Sequence, residues 1–171
     1  MSGMDDAWTI RPAERGDLAG IDDLLARSYP VLLKDAYPPS TLVTAIPLIA
    51  RANPGLIASG TYFVVTAGRE ILGAGGWTSA APGTGRRGAW TTGHIRHVVT
   101  DHRRVRSGIG RALMTHICAD AKGAGMTRLE CLSTLMAVRF YAACGFVEVG
   151  PVAVNLRPGI DFPAVLMTRE L

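Results

Sequence analysis

The sequence predicts a mixed α/β fold, and three observations carry that prediction. Runs with period-two alternation and runs with helical spacing follow one another in the order β-α-α-β-β-β-α-β-α-β-β. Two strand-like runs flank Ala67-Gly68-Arg69-Glu70, a hairpin turn, so part of the sheet is antiparallel. The stretch from Val98 to Met114 passes from a strand through a basic, glycine-containing turn into a helix. At 171 residues and 18.1 kDa the chain suits a single domain spanning residues 1–171, long enough to bury its own core without a metal or disulfide.

Trp8-Thr9-Ile10-Arg11 alternates apolar and polar and stops at Pro12, which reads as a half-buried strand. Asp17 then caps a helix whose Leu18, Ile21, Leu24, Leu25 and Ser28 share a face, and Tyr29-Pro30 is expected to end it. Past Pro38-Pro39, Ser40 is a second N-cap, for a helical stretch with Leu42, Ala45, Ile46 and Ile49 that Pro47 should kink or divide. Asp35 and Tyr37 lie between the two helices, either as wall of a ligand pocket or as ordinary interhelical loop. The hairpin strands are Thr61–Thr66 and Ile71–Thr78. Ser79 to Gly88, rich in Gly, Pro and Arg, is a flexible loop. Trp90 to Val99 is a longer strand, with Trp90, Thr92, His94, Arg96 and Val98 on one face. Thr91, Gly93, Ile95, His97 and Val99 fall on the other, so His94 and His97 point apart. Ile109, Leu113, Ile117 and Ala121 begin a helix that Gly123 and Gly125 stop. A short strand Leu129–Leu132, a helix Leu135–Cys144 closed by Gly145, and strands Phe146–Val149 and Ala164–Arg169 complete the order.

The turn inside Val98–Met114 has the chemistry of an anion site. A helix start leaves backbone N–H groups unpaired at the positive end of the macrodipole, and phosphate is the ion that such a terminus favours. Gly108 and Gly110 let the backbone approach a ligand. Arg103, Arg104, Arg106 and Arg111 offer guanidinium forks that match phosphate oxygens. A plain strand-to-helix turn with solvated arginines shares this short pattern.

The run Val105-Arg106-Ser107-Gly108-Ile109-Gly110-Arg111-Ala112-Leu113 resembles the acyl-CoA pyrophosphate loop of the GNAT N-acetyltransferase superfamily, Q/R-x-x-G-x-G/A at the start of a long helix. Downstream, Ser133 to Phe146 resembles the superfamily's A-x-x-[FL]-Y-x-x-x-G-F segment. Val105 stands where Gln or Arg is usual, and Thr134 where many members have Asn. The resemblance implies the GNAT acyl-CoA N-acyltransferase fold, a mixed twisted central sheet flanked by helices. It also implies acetyl-CoA as co-substrate, a primary amine as acceptor and no metal, and it allows a homodimer. Arg103, Arg104, Arg106, Ser107, Gly108, Ile109, Gly110 and Arg111 would then surround the pyrophosphate, and main-chain groups of Val98 and Val99 would pair with pantetheine. Thr134 would join the cofactor contacts and Arg139 would reach the 3′-phosphate. Tyr141 takes the position of the acid that protonates the departing thiolate, and His94 that of a general base.

Other classes fit less well. A non-catalytic acyl-CoA-binding module leaves Tyr141 without a role. A dinucleotide-binding fold gains from Glu130, about 20 residues after the glycines, but Leu113 occupies the third glycine site and the motif falls late in the chain. The net charge of +4 and pI near 9.3 come from loop arginines without interleaved aromatics, so an anionic small ligand is expected rather than nucleic acid. Cys118, Cys131 and Cys144 form no C-x-x-C pair and leave an odd thiol, which points to a reducing, cytoplasmic setting. The acidic start Met1–Asp6 has no apolar signal core, and no apolar run reaches the roughly 18 residues of a membrane span.

Overall fold

The computed structural model describes residues 7–82 and 89–171. The expectations for Met1–Asp6 and for residues 83–88 of the glycine-rich loop lie outside the described residues. Strands β1 (Thr9–Pro12), β2 (Tyr62–Ala67), β3 (Glu70–Thr78), β4 (Thr92–Thr100), β5 (Arg128–Ser133), β6 (Val147–Arg157) and β7 (Ile160–Glu170) form a sheet in the order β1-β2-β3-β4-β5-β7-β6. β4 and β5 are parallel and every other neighbouring pair is antiparallel. Helices α1 (Leu18–Leu33), α2 (Pro39–Ile49) and α3 (Pro54–Ala58) join β1 to β2, α4 (Ile109–Gly123) follows β4, and α5 (Val138–Ala143) follows β5. Among the described residues no helix is long and apolar enough to cross a membrane.

Both faces of the sheet are covered across β2, β3 and β4. Ile109, Leu113 and Ile117 of α4 pack on Phe63, Val65 and Leu72, while Leu24 and Leu25 of α1 pack on Val64, Ile71 and Val99 from the other side. A strand buried on both faces needs apolar side chains at every position, hence the unbroken run Tyr62-Phe63-Val64-Val65.

Several expectations change. Helix α1 continues through Pro30, and α2 runs through Pro47 from a start at Pro39 rather than a Ser40 cap. In both helices the proline and the residue four before it (Ala26, Val43) are exposed, so water can take the carbonyl that the missing N–H leaves free. The Asp17 side chain makes no cap bond to α1; its carboxylate accepts instead from Glu14 N–H at 2.7 Å and from both terminal nitrogens of Arg11 at 2.8 Å. The short α3 follows an Asn53 cap, and β6 and β7 each run 11 residues to form a long hairpin.

A further change bears on function. Pairing between β3 and β4 steps from Gly76↔Arg96 to Ala74↔Val99, so Gly75 alone faces His97 and Val98. This is a β-bulge, and His97 sits in the left-handed region at φ 45°. Gly75 makes room for it, since a Cβ there would lie 2.8 Å from Val98 Cγ2. The bulge reverses the facing of every later residue. Ile95 and Val98 both join the α4 core and Val99 joins the α1 core, where unbroken alternation puts Val99 with Ile95. Being part of the bulge, His97 has no face fixed by alternation from His94.

Candidate active site

β4 and β5 part company early. Their ladder consists of Thr92↔Arg128, Gly93↔Leu129 and His94↔Glu130, after which β4 continues to Thr100 and β5 to Ser133 without pairing to each other. The Asp101 N–H donates to Leu72 O at 2.8 Å on β3. By antiparallel alternation the Val99 amide also turns to β3, and those of Val98 and Thr100 face the gap. Of the two residues expected to offer main-chain groups, Val98 presents them to the opening and Val99 anchors the strand behind it.

At the top of the gap lies the loop into α4. Gly108, the N-cap, has φ 84°, and Arg106 before it has φ 65°. Ala112 N–H is the first to close on a helical carbonyl, that of Gly108 at 3.0 Å, which leaves the amides of Ile109, Gly110 and Arg111 directed out of the helix end. Gly110 fits under the Phe140 ring, where a Cβ would meet Cε2 at 3.1 Å, while the Ile109 side chain is buried and the Ser107 hydroxyl donates to Arg104 O at 2.6 Å.

The arginines divide into two groups. Arg103 donates to the Asp101 carboxylate through Nε at 3.0 Å and Nη2 at 2.7 Å, and to Glu70 at 2.9 Å; Arg104 lies 3.7 Å from Glu70. These two brace the loop. Arg106, Arg111 and Arg139 are exposed and make no ion pair among the described residues, so their forks are available to an anion. Asp101 is fully buried and also accepts from Arg27 at 3.2 Å; the Arg103 bonds hold its carboxyl well below the usual range. Nothing in the local sequence singled out this clasp, because Arg27 is 74 residues away.

Tyr141, on α5, is 7% exposed and wedged edge-on between Phe140 and Phe146, with ring centroids 5.3 and 5.5 Å away. Its hydroxyl has no hydrogen-bond partner among the described residues, and burial pushes its pKa well up, so the phenol stays protonated. Thr134 precedes the turn into α5, its carbonyl accepting from Ser133 Oγ at 2.8 Å. Burial likewise raises the Cys131 thiol to about 12 and the Cys144 thiol above its ordinary value, which makes both inert.

His94 sits where the strands separate. It is 7% exposed, its Nδ1 is 3.8 Å from Glu130 Oε2, and its buried Nε2 has no partner. Burial lowers its pKa; Glu130 pulls it up and Arg96 pushes it down further. The imidazole is therefore neutral near pH 7 and able to accept a proton. A cavity of about 140 Å³ opens beside it, lined by Pro82, Ile95, Glu130, Leu132 and Leu166. Glu130, which mattered to sequence reading only as a dinucleotide ligand, is here the partner of His94. Tyr37 is not among the residues lining that cavity; it is a strut, buried and stacked on Phe162, donating to Pro163 O at 2.7 Å and accepting from Leu135 N–H at 2.9 Å. His102 and His116 are half-buried.

A gap between parallel strands topped by a glycine-capped helix start is a frame for an extended anionic ligand, and the family comparison agrees. The model of the acetyltransferase (GNAT) domain matches residues 58–148. The chain belongs to the GNAT acetyltransferase family. No curated protein matches the sequence. Among solved structures, this acetyltransferase is similar to the GCN5-related N-acetyltransferase (aminotransferase, class-II) of Rhodopseudomonas palustris, at 19% identity and TM-score 0.74 over 95% of each chain. It is also similar to PaiA N-acetyltransferase of Thermoplasma acidophilum in complex with coenzyme A, at 14% identity and TM-score 0.73, over 96% of this chain and 99% of that one. A third similarity is to N-acetylglutamate synthase of Neisseria gonorrhoeae, complexed with coenzyme A and N-acetyl-glutamate, at 19% identity and TM-score 0.61. It covers 96% of the GNAT chain and 35% of the synthase. At these identities the likeness is one of fold.

Proposed function

We propose that this GNAT protein transfers the acetyl group of acetyl-CoA to a primary amine of a small molecule or peptide, by direct attack within a ternary complex. The observation that carries the reading is the gap between β4 and β5 beyond His94–Glu130, with main-chain groups of Val98 and Thr100 facing into it. An extended chain with amide groups can pair there as though it were another strand. The amides of Ile109, Gly110 and Arg111, with Arg106 and Arg111 beside them, would take the pyrophosphate, and Arg139 the 3′-phosphate.

The acetyl thioester supplies the electrophile. The Val98 N–H hydrogen-bonds the thioester oxygen as it gains negative charge, the step in which a preorganised donor contributes most. His94 Nε2 accepts the proton that the amine loses as its nitrogen bonds to the carbonyl carbon, directly or through a water. As the C–S bond breaks, the Tyr141 hydroxyl gives its proton to the thiolate, leaving an N-acetylated amine and free CoA thiol. The three free thiols of the chain suit a reducing cytoplasm, where we place the reaction.

The test is release of free thiol from acetyl-CoA across a panel of amines. Amine-dependent release supports the reading. Tight acetyl-CoA binding with no release from any amine replaces it with that of an acyl-CoA-binding module.

A further inference from the structure

Arg96 is an odd residue for its position. It lies on β4 between the bulge at His97 and the base candidate His94, on the face away from α4, and its Nη1 donates to Thr78 Oγ1 at 3.0 Å. That hydroxyl is itself directed at Ala80 O, 2.8 Å away, so its hydrogen is committed and its oxygen is aimed at the guanidinium. Arg96 makes no ion pair among the described residues, although it is only partly exposed and every other partly buried arginine here has an acidic or carbonyl partner. The nearest carboxylate on the neighbouring strand, Glu130, is turned to His94 and Arg128 instead. Burial disfavours the Arg96 charge, and that charge bears in turn on both His94 and His97. A half-buried cation held by one neutral hydroxyl is an incomplete arrangement. One of the five guanidinium donors is used, and none of its nitrogens is sealed away without a partner.

We propose that Arg96 binds a carboxylate on the amine acceptor, so that the substrate class is an α-amino acid or a compact amine of that kind. The inference rests on the transfer reading above. Arg96 precedes Val98 by two residues, at most about 7 Å along a strand and less here because His97 between them is bulged at φ 45°, and a guanidinium on its flexible stem spans such a distance. An amine poised at the thioester beside Val98 would therefore keep a carboxylate two bonds away within reach of the Arg96 fork. Planar, bidentate recognition of a carboxylate is what this side chain does best. Removing the carboxylate's charge would leave the buried cation uncompensated, which is the arrangement that gives strong discrimination between an acid and its amide.

The experiment compares each common L-α-amino acid with its α-carboxamide in the thiol-release assay, using the parent protein, Arg96→Lys and Arg96→Gln. Unchanged melting temperature and acetyl-CoA affinity serve as the check that the variants fold. The expected result is at least a tenfold preference in kcat/KM for the acid in the parent, reduced in Arg96→Lys and near unity in Arg96→Gln. Equal use of acid and amide by the parent, or a preference that survives in Arg96→Gln, overturns the proposal while leaving acetyl transfer intact. If no amine releases thiol, calorimetry of the same amino acids against the CoA-loaded protein decides. Binding lost in Arg96→Gln keeps the carboxylate site and removes only the transfer reading, and no binding of any acid overturns both.

Discussion

Tyr141 and His94 are both buried, and burial disfavours the charged form of each, which moves their pKa values in opposite directions. It raises the phenol's pKa and lowers the imidazole's, so both stay neutral at pH 7, one holding a proton and the other ready to take one. Tyr141→Phe keeps the ring between Phe140 and Phe146 and deletes only the acid. Turnover should fall by about 10²–10⁴-fold with acetyl-CoA affinity little changed, as steady-state kinetics beside calorimetry would show. For His94 the sign follows from the lowered pKa: the base form persists below the ordinary histidine value near 6.5, so the rising limb of the pH–rate profile should lie on the acid side of that value. In His94→Ala that limb should disappear while acetyl-CoA still binds. A profile identical to the parent's would assign proton removal to solvent.

At the scale of elements, the loop–helix junction is the part most legible from sequence and the part whose packing was least so. The glycine pair, the arginines and the start of α4 at Ile109 follow from local spacing, because a helix start is a local event. Which arginines stay free does not follow, since it depends on Glu70 and Arg27 arriving from distant segments. The same holds for β4: alternation gives its extent to within two residues, but a bulge arises from cross-strand pairing with Gly75 that no single-strand pattern records. Pro30 of α1 misled for a related reason, as its cost depends on whether water reaches the freed carbonyl. Gly110→Val tests the junction. Its side chain would press on Phe140 at 3.1 Å and Thr100 at 3.3 Å as well as on any ligand. Calorimetry should show acetyl-CoA affinity down by well over tenfold, and chemical denaturation a loss of about 1–3 kcal/mol from overpacking.

For the molecule as a whole, the sheet is two blocks, β1–β4 and β5–β7–β6, joined through three residue pairs at one end. Helix α4 lies in sequence between the blocks, and Tyr141 in the segment after β5 reaches the same core as Leu113 and Ile117. The fold class was readable because each block's elements are local. The gap was not, since nothing in either strand's composition says where a parallel neighbour stops. That gap means the sheet carries an edge in its interior, with the main-chain groups of Val98 and Thr100 open to water. Amides at an open edge trade their hydrogens for deuterium quickly, whereas those of a paired strand are shielded. Acetyl-CoA should therefore slow exchange at Val98 and Thr100 far more than at Val99, already tied to β3. A peptide-resolved exchange experiment would then read the co-substrate as the missing strand of the sheet, and uniform protection of all three would contradict that picture.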